Sequence, residues 1–215
     1  MSLRRPKIMP PDFSGWLGAV RLPDRRPIYE WAHDFLTLPG SYGIPGRFDV
    51  SINRPLIAVF DAIQDPAVRR VRFRKPPRFG GSLVADITIP WIFCNDPGPV
   101  MANFPKQEFA DQRMKEKLWP LWASCAPLSR ILPGGRFDKT NNEIYFGSFF
   151  FIAQGASSAN LQGKGIRWQF NDETWLSQPW AAVYNQAVSR TRDYARTQCE
   201  KVIDISQAGV ENDVE

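Results

Sequence analysis

The sequence predicts an α/β domain with a mainly parallel central sheet flanked by helices, and three observations predict it. Short β-branched and aromatic runs alternate along the chain with segments of helical spacing, the order that builds βαβ units. One such run, residues 68–73, leads into a basic, proline- and glycine-containing loop, Lys75-Pro76-Pro77-Arg78-Phe79-Gly80-Gly81-Ser82, followed at once by an apolar helix-like segment. Another, residues 166–170, ends in Asn171-Asp172-Glu173, which puts two carboxylates at the strand end where such sheets hold their ligands.

The elements follow in order. Residues 1–27 are rich in Pro and Arg with no sustained period, and are expected to form an extended arm ordered only where Trp16 or Leu17 docks; residues 28–215 are the domain. Residues 29–36 have helix spacing and stop before Pro39-Gly40, and residues 40–49 are turn-rich. Residues 56–63 present another apolar helical face, begun near Pro55 and ended by Asp65-Pro66. Residues 68–74 form the strand before the loop, with Arg70, Arg72 and Arg74 alternating through it. A central parallel strand is usually apolar on both faces. Either one face of this strand meets polar groups or lies near the surface, or the strand is an edge with solvated arginines.

Residues 82–94 are the helix after the loop, bent or stopped at Pro90. A strand over residues 99–104 and an amphipathic helix over 106–118 come next. A loop holding Pro133-Gly134-Gly135 leads to a hairpin over 143–152 that turns near Gly147-Ser148. A strand over 166–170, a long helix over 180–197 and a short strand over 201–205 complete the series. The aromatic group Tyr145, Phe146, Phe149, Phe150 and Phe151 is expected in the core rather than on a base-stacking surface.

Composition bounds the chemistry. With 215 residues, 43% hydrophobic and 23% charged, there is room for one well-buried domain but not comfortably for two. A net charge of +5 favours a polyanionic partner and equally suits a merely basic protein. Cys94, Cys125 and Cys199 are scattered, odd in number and free of C-x-x-C spacing, which argues against a disulfide framework or zinc site and fits a reducing compartment. His33 is the only histidine and there is no G-x-S-x-G, which argues against a serine or cysteine triad and against a His-rich metal centre. No apolar run reaches the length of a membrane span, and the basic start lacks the apolar stretch of a secretory signal, so the cytosol is expected.

A nucleoside triphosphate needs backbone N–H groups gathered in a tight loop, a helix N-terminus behind them, a basic side chain, and a hydroxyl and a carboxylate for magnesium. Gly80 and Gly81 permit the turn and the close approach, and Ser82 supplies the hydroxyl. The usual pattern G-x-x-x-x-G-K-[ST] is altered: Lys75 stands where the first glycine belongs and Gly81 where the lysine belongs. Lys75 and Arg78 are then the basic groups for the phosphates. Asp172 is the candidate for Mg²⁺ and Glu173 for activating water. Taken singly, the loop also fits a Pro-Gly turn with basic residues facing water, and the acids fit an acidic turn or a helix cap at Asp172.

Together, these segments resemble the ATPase domain of the large terminase subunits of tailed bacteriophages, in the lambda-type branch. The deviant phosphate loop of that family has its lysine at the start and an arginine in the middle, as at Lys75 and Arg78. Residues 54–63, starting Arg54-Pro55-Leu56, look like the helix that contributes to the adenine pocket, and residues 96–104 like the family's second strand. Gln154-Gly155-Ala156-Ser157-Ser158-Ala159-Asn160-Leu161 is similar to its G-A-N-S-P-A-G-L segment, and Ile205-Ser206-Gln207-Ala208 falls where the family has a Ser-Thr-Pro coupling motif. The resemblance covers roughly residues 30–210.

The resemblance implies an ASCE-type P-loop NTPase, a three-layer sandwich using ATP and Mg²⁺. It implies nucleotide binding by Arg54, Pro55 and residues 75–82 (Lys75, Pro76, Pro77, Arg78, Phe79, Gly80, Gly81, Ser82). Metal binding would fall to Ser82 and Asp172, catalysis to Glu173 with Lys75 and Arg78, and coupling to Ser206 and Gln207. Its partners would be double-stranded DNA, the small terminase subunit, the portal protein of the procapsid and further copies in a packaging ring, in the host cell cytoplasm and without a membrane. There are departures: Gln162 and Lys164 stand where relatives commonly carry arginine, the coupling segment reads Ser206-Gln207-Ala208, and no nuclease domain is expected within residues 28–215. These departures keep a second expectation open, a non-catalytic nucleotide-fold module that binds DNA, portal or small subunit.

Overall fold

The computed structural model of the chain describes residues 22–134, 139–155, 163–173 and 180–207. Trp16 and Leu17 of the expected arm, residues 156–162 and Ala208 lie outside the described residues. The first part forms helix α1 (Ile28–Phe35), the two-residue strands β1 (Thr37–Leu38) and β2 (Gly46–Arg47), a 3-10 turn (Val50–Asn53) and helix α2 (Leu56–Gln64). Strand β3 (Arg70–Lys75) leads through the loop into α3 (Gly81–Asn95). Then come β4 (Val100–Phe104), α4 (Gln107–Arg113), a π-helical turn (Met114–Leu118), α5 (Trp119–Ala123) and α6 (Ala126–Ser129). Strands β5 (Glu143–Tyr145), β6 (Phe150–Gly155) and β7 (Trp168–Asp172), helices α7 (Trp180–Ser189) and α8 (Arg192–Ala195), and β8 (Lys201–Gln207) complete the order.

Six strands make one sheet in the order β3-β8-β7-β4-β6-β5. Every pairing is parallel except the β5–β6 hairpin. The fold class is therefore the expected one. The loop-bearing strand and the acid-bearing strand are not neighbours, because β8 lies between them. This brings the residues after β3, β7 and β8 to one edge of the sheet, since parallel strands end on the same side.

Strand alternation sorts the two faces. Val71, Ala102, Phe151, Trp168, Phe170, Ile203 and Ile205 join the main core with Trp31, Phe60, Ile87 and Phe93 from the helices. The other face carries a smaller apolar cluster of Met101, Ile166 and Ala187. It also carries a polar row in strict register across five strands, Arg72-Asp204-Asn171-Asn103-Gln154. Asn171 Nδ2 donates to Asp204 Oδ1 at 2.7 Å, Asn103 Nδ2 to Asn171 Oδ1 at 2.8 Å, and Gln154 Nε2 to Asn103 Oδ1 at 3.2 Å. Tyr184 of α7 donates to the second oxygen of Asp204 at 2.9 Å. Burial pushes the Asp204 carboxyl above its usual range, against these hydrogen bonds.

Asn171 is the central member of the row, both donor and acceptor and fully buried. Asn171→Leu takes a partner from an Asp204 carboxylate oxygen and from two amides, those of Asn103 and Gln169. It should cost about 2–4 kcal/mol, since each buried polar group left unsatisfied costs about 1–3 kcal/mol. Urea unfolding of the two proteins measures it.

The structure resolves the arginine alternation and corrects three boundaries. Strand β3 is the sheet's outer edge, with Arg70, Arg72 and Arg74 exposed on the polar face. Arg72 lies 3.8 Å from Asp204, so the edge reading holds and a polar group meets one arginine as well. Pro90 neither stops nor shortens α3, which continues to Asn95. The helix is buried along most of its length, and that packing outweighs the one backbone hydrogen bond a proline removes. The helix over residues 106–118 changes pitch at Met114 and runs on into α5. The long helix over 180–197 is instead two, because the Arg190 carbonyl accepts from the Ile166 N–H at 2.9 Å and Thr191 turns back on Val188. Phe151 is fully buried and Phe146 and Phe149 stack 4.5 Å apart against the core, while Tyr145 points outward.

Candidate functional site

The loop owes its shape to two left-handed residues and one outside anchor. Arg78 (φ 61°) and Gly80 (φ 88°) both adopt positive φ, ordinary for glycine and uncommon for arginine. Asn53, at the end of the 3-10 turn, donates its side-chain amide to the Phe79 carbonyl at 2.6 Å. The Phe79 ring packs edge-on against Phe73, 6.1 Å between centroids. Pro76, Pro77 and Arg78 remain exposed. Helix α3 then starts with no side-chain cap on its first amides, so its N–H groups and positive dipole end face the loop.

Gly81 explains the displaced lysine. A Cβ at position 81 would lie 2.3 Å from both Cδ and Cε of Lys75 and 2.8 Å from Ile205 Cγ2. The Lys75 stem therefore runs through the space that a side chain at position 81 would fill. The lysine enters from the end of β3, passes against the helix start and is 6% exposed. Its Nζ reaches Glu173 Oε1 at 2.6 Å.

The acids arrive from β7. Asp172 is the strand's last residue, paired in register with Ile205 of β8, and Glu173 follows with φ 49°, a strained value for a residue with a side chain. Ser82 hydrogen-bonds the Asp172 carboxylate. Burial pushes the Asp172 carboxyl up, while the charge of Arg113 and the Ser82 hydrogen bond pull it back. Its Oδ1 is enclosed and has no hydrogen-bond partner among the described residues. Gln207, the register partner of Lys75, donates to Glu173 Oε1 at 3.3 Å. Ser206 is buried, with its hydroxyl donating to the Gln207 carbonyl at 3.0 Å.

The donor set suits a hard divalent cation held jointly with phosphates. Lys75 is paired with Glu173 and Arg113 with Asp86, which leaves Asp172 as a buried carboxylate with a hydroxyl beside it and an oxygen to spare. Among the described residues no three His, Cys, Asp or Glu side chains converge. That fits Mg²⁺, which takes one or two carboxylates plus substrate oxygens, better than an all-protein cage. Beside Asp172 opens a cavity of about 290 Å³, lined by Ser82, Asp172 and Glu173 together with Phe104, Phe109 and Arg113 among others.

Of the sequence-derived candidates, Lys75, Gly81, Ser82, Asp172, Glu173 and Gln207 meet at the C-terminal edge of the sheet. Arg54 and Pro55 stand at the entry to α2, one and two positions past Asn53, the residue that holds the loop. Arg78 is exposed. His33 is structural, its Nδ1 2.8 Å from the Phe48 carbonyl oxygen. Sequence reasoning missed Asn53 and a trio built on the buried Asp86. In that trio Arg113 meets Asp86 through Nε at 3.1 Å and Nη2 at 2.5 Å, and Tyr42 donates to the same carboxylate at 2.8 Å. Asp86 left a signal, being a lone carboxylate inside an apolar helix, which must be paired to be buried.

Comparison with known proteins identifies the family and agrees with the fold. A sequence-family model described as phage terminase large subunit gpA, ATPase domain, matches residues 43–204. The crystal structure of the HK97 bacteriophage large terminase superposes with a TM-score of 0.63 at 14% identity, over 86% of this chain and 38% of that one. The ATPase domain of the Thermus phage P74-26 large terminase aligns with a TM-score of 0.44 at 16% identity, over 63% of this chain and 59% of its own. No curated protein sequence matches.

Proposed function

Because the chain belongs to the family of phage terminase large subunit gpA ATPase domains, we propose that it hydrolyses ATP with Mg²⁺ to drive double-stranded DNA into a procapsid. One observation carries the reading: an amine from one strand and two acids from another converge at the uncapped N-terminus of α3. The phosphates would lie against the α3 amides, with Lys75 and Arg78 as their cationic partners and Arg54 and Pro55 toward the base. Mg²⁺ would be held by the Ser82 hydroxyl and the Asp172 carboxylate, and would neutralise phosphate charge as the terminal phosphoryl group leaves.

Glu173 then has two partners to choose between. It is ion-paired to Lys75, and a γ-phosphate competing for the same amine would release its carboxylate to orient water and take the proton. Gln207 touches Glu173 from β8, so the coupling segment, Ser206 and Gln207, would sense that exchange and pass it along the strand. DNA would be held through its phosphates, without base reading and with strong salt dependence. The small terminase subunit, the portal protein and further copies of this chain in a ring are the proposed partners, in the host cell cytoplasm. Among the described residues no helix is long and apolar enough to cross a membrane.

Phosphate release from Mg·ATP, with and without duplex DNA, tests the reading. Turnover is expected in the wild type and should disappear in Lys75→Ala. Nucleotide binding without turnover, even with DNA and partner proteins present, would instead identify a non-catalytic assembly module.

A further inference from the structure

We infer that Arg113 is a further phosphate-facing residue of this site, a guanidinium fixed by Asp86 and Tyr42 in the lining of the same cavity so that it meets the terminal phosphate. The inference rests on the nucleotide reading and adds to it a residue outside the loop and the acid pair. Arg113 is the last residue of α4, where the chain enters the π-helical turn. A π turn re-aims the side chains around it and is enriched at functional sites. It lines the cavity of about 290 Å³ together with Ser82, Asp172 and Glu173.

The clamp is directional. Asp86 takes the Nε and Nη2 edge of the guanidinium, and since the group is planar with five donors in a rigid fork, its Nη1 edge is turned away from Asp86. Tyr42 fixes Asp86 in turn. Asp86 also lies one helical turn past Ser82 on α3, so the helix that starts at the phosphate loop sets the position of the arginine. Arg113 and Asp172 are near enough to feel each other's charge.

Charge adds to the argument. Lys75 is shared with Glu173, and on the proposed reading a terminal phosphate draws that amine away. A triphosphate carries more negative charge than one amine offsets, and Arg113 is a further cation lining the same cavity as Ser82 and Asp172. A purely structural Arg113–Asp86 pair would serve as well if buried apolar groups replaced it, and it would not need to line the cavity.

The test is equilibrium binding of a non-hydrolysable Mg·ATP analogue and of Mg·ADP to the full chain, in the wild type, Arg113→Gln and Arg113→Lys. Losing a charge-assisted hydrogen bond to the γ-phosphate should weaken the analogue about ten- to hundredfold in Arg113→Gln and leave ADP within about threefold. Arg113→Lys keeps the charge without the fork and should lose a smaller part of the preference. Equal weakening of both nucleotides, accompanied by a lower melting temperature, would make Arg113 a brace between α3 and α4 and overturn the inference. An unchanged preference in Arg113→Lys overturns it should Arg113→Gln not fold. A wild type that binds neither nucleotide removes the nucleotide reading itself, whereas a wild type that binds both and variants that discriminate equally remove only Arg113.

Discussion

Glu173→Gln is expected to lower the rate of phosphate release by about 10²–10⁴, the usual contribution of a positioned general base, while Mg·ATP still binds. Both halves follow from the same contact. Glu173 lies at the end of β7 with its carboxylate 2.6 Å from the amine of Lys75, so on the proposed reading it would compete with a bound triphosphate for that amine. The glutamine keeps the shape and gives up the charge. Lys75 then loses a partner it must otherwise leave, and the affinity for Mg·ATP should stay level or rise. The backbone at Glu173 is held at φ 49°, a cost of order 1–3 kcal/mol that persists where a side chain has to be aimed. Single-turnover rates and a binding isotherm on the same protein separate the two effects. A variant that turns over at the wild-type rate would take Glu173 out of the water-activating role.

Much of this site was legible in the chain because its parts are local. A glycine bend after a strand and two acids after another are each fixed by a few consecutive residues, and parallel pairing brings strand ends together without further information. What was not legible depends on which strands become neighbours. Arg70, Arg72 and Arg74 have the same alternation whether β3 is central or marginal, and only the order β3-β8-β7 makes it an edge. Pro90 reads as a break because propensity is local, whereas α3 survives it through packing from several distant segments. The break at Arg190 comes from a backbone amide at Ile166, twenty-four residues earlier by their numbering, which no local pattern encodes. Tyr42 and Arg113 meet on Asp86 only after folding. Asn53 carries no signal of its own: an asparagine ahead of Arg54-Pro55 reads as turn chemistry, and it meets the Phe79 carbonyl only after folding.

Moving the lysine back to its usual place should restore much of what removing it destroys. Lys75→Ala alone is expected to weaken Mg·ATP by at least about tenfold, as loss of a charge-assisted contact requires. Gly81→Lys alone should be equally damaging for a different reason. Its Cβ would lie 2.3 Å from Cδ and Cε of the resident lysine, so the two stems cannot share the space and the start of α3 or the amine must move. The backbone at Gly81 is helical and needs no glycine of itself; the obstacle is Lys75. In the double variant Lys75→Ala/Gly81→Lys that obstacle is gone, and only Ile205 Cγ2, 2.8 Å away, has to yield. A lysine at the first turn of α3 then reaches the same phosphates from the other side. The double variant should bind Mg·ATP at least about tenfold more tightly than the sum of the single losses predicts, a coupling expected only of residues that occupy one volume or serve one ligand. Strict additivity, measured by the same titration on all four proteins, would mean that the two positions do not stand in for each other and that Lys75 is no displaced phosphate-loop lysine.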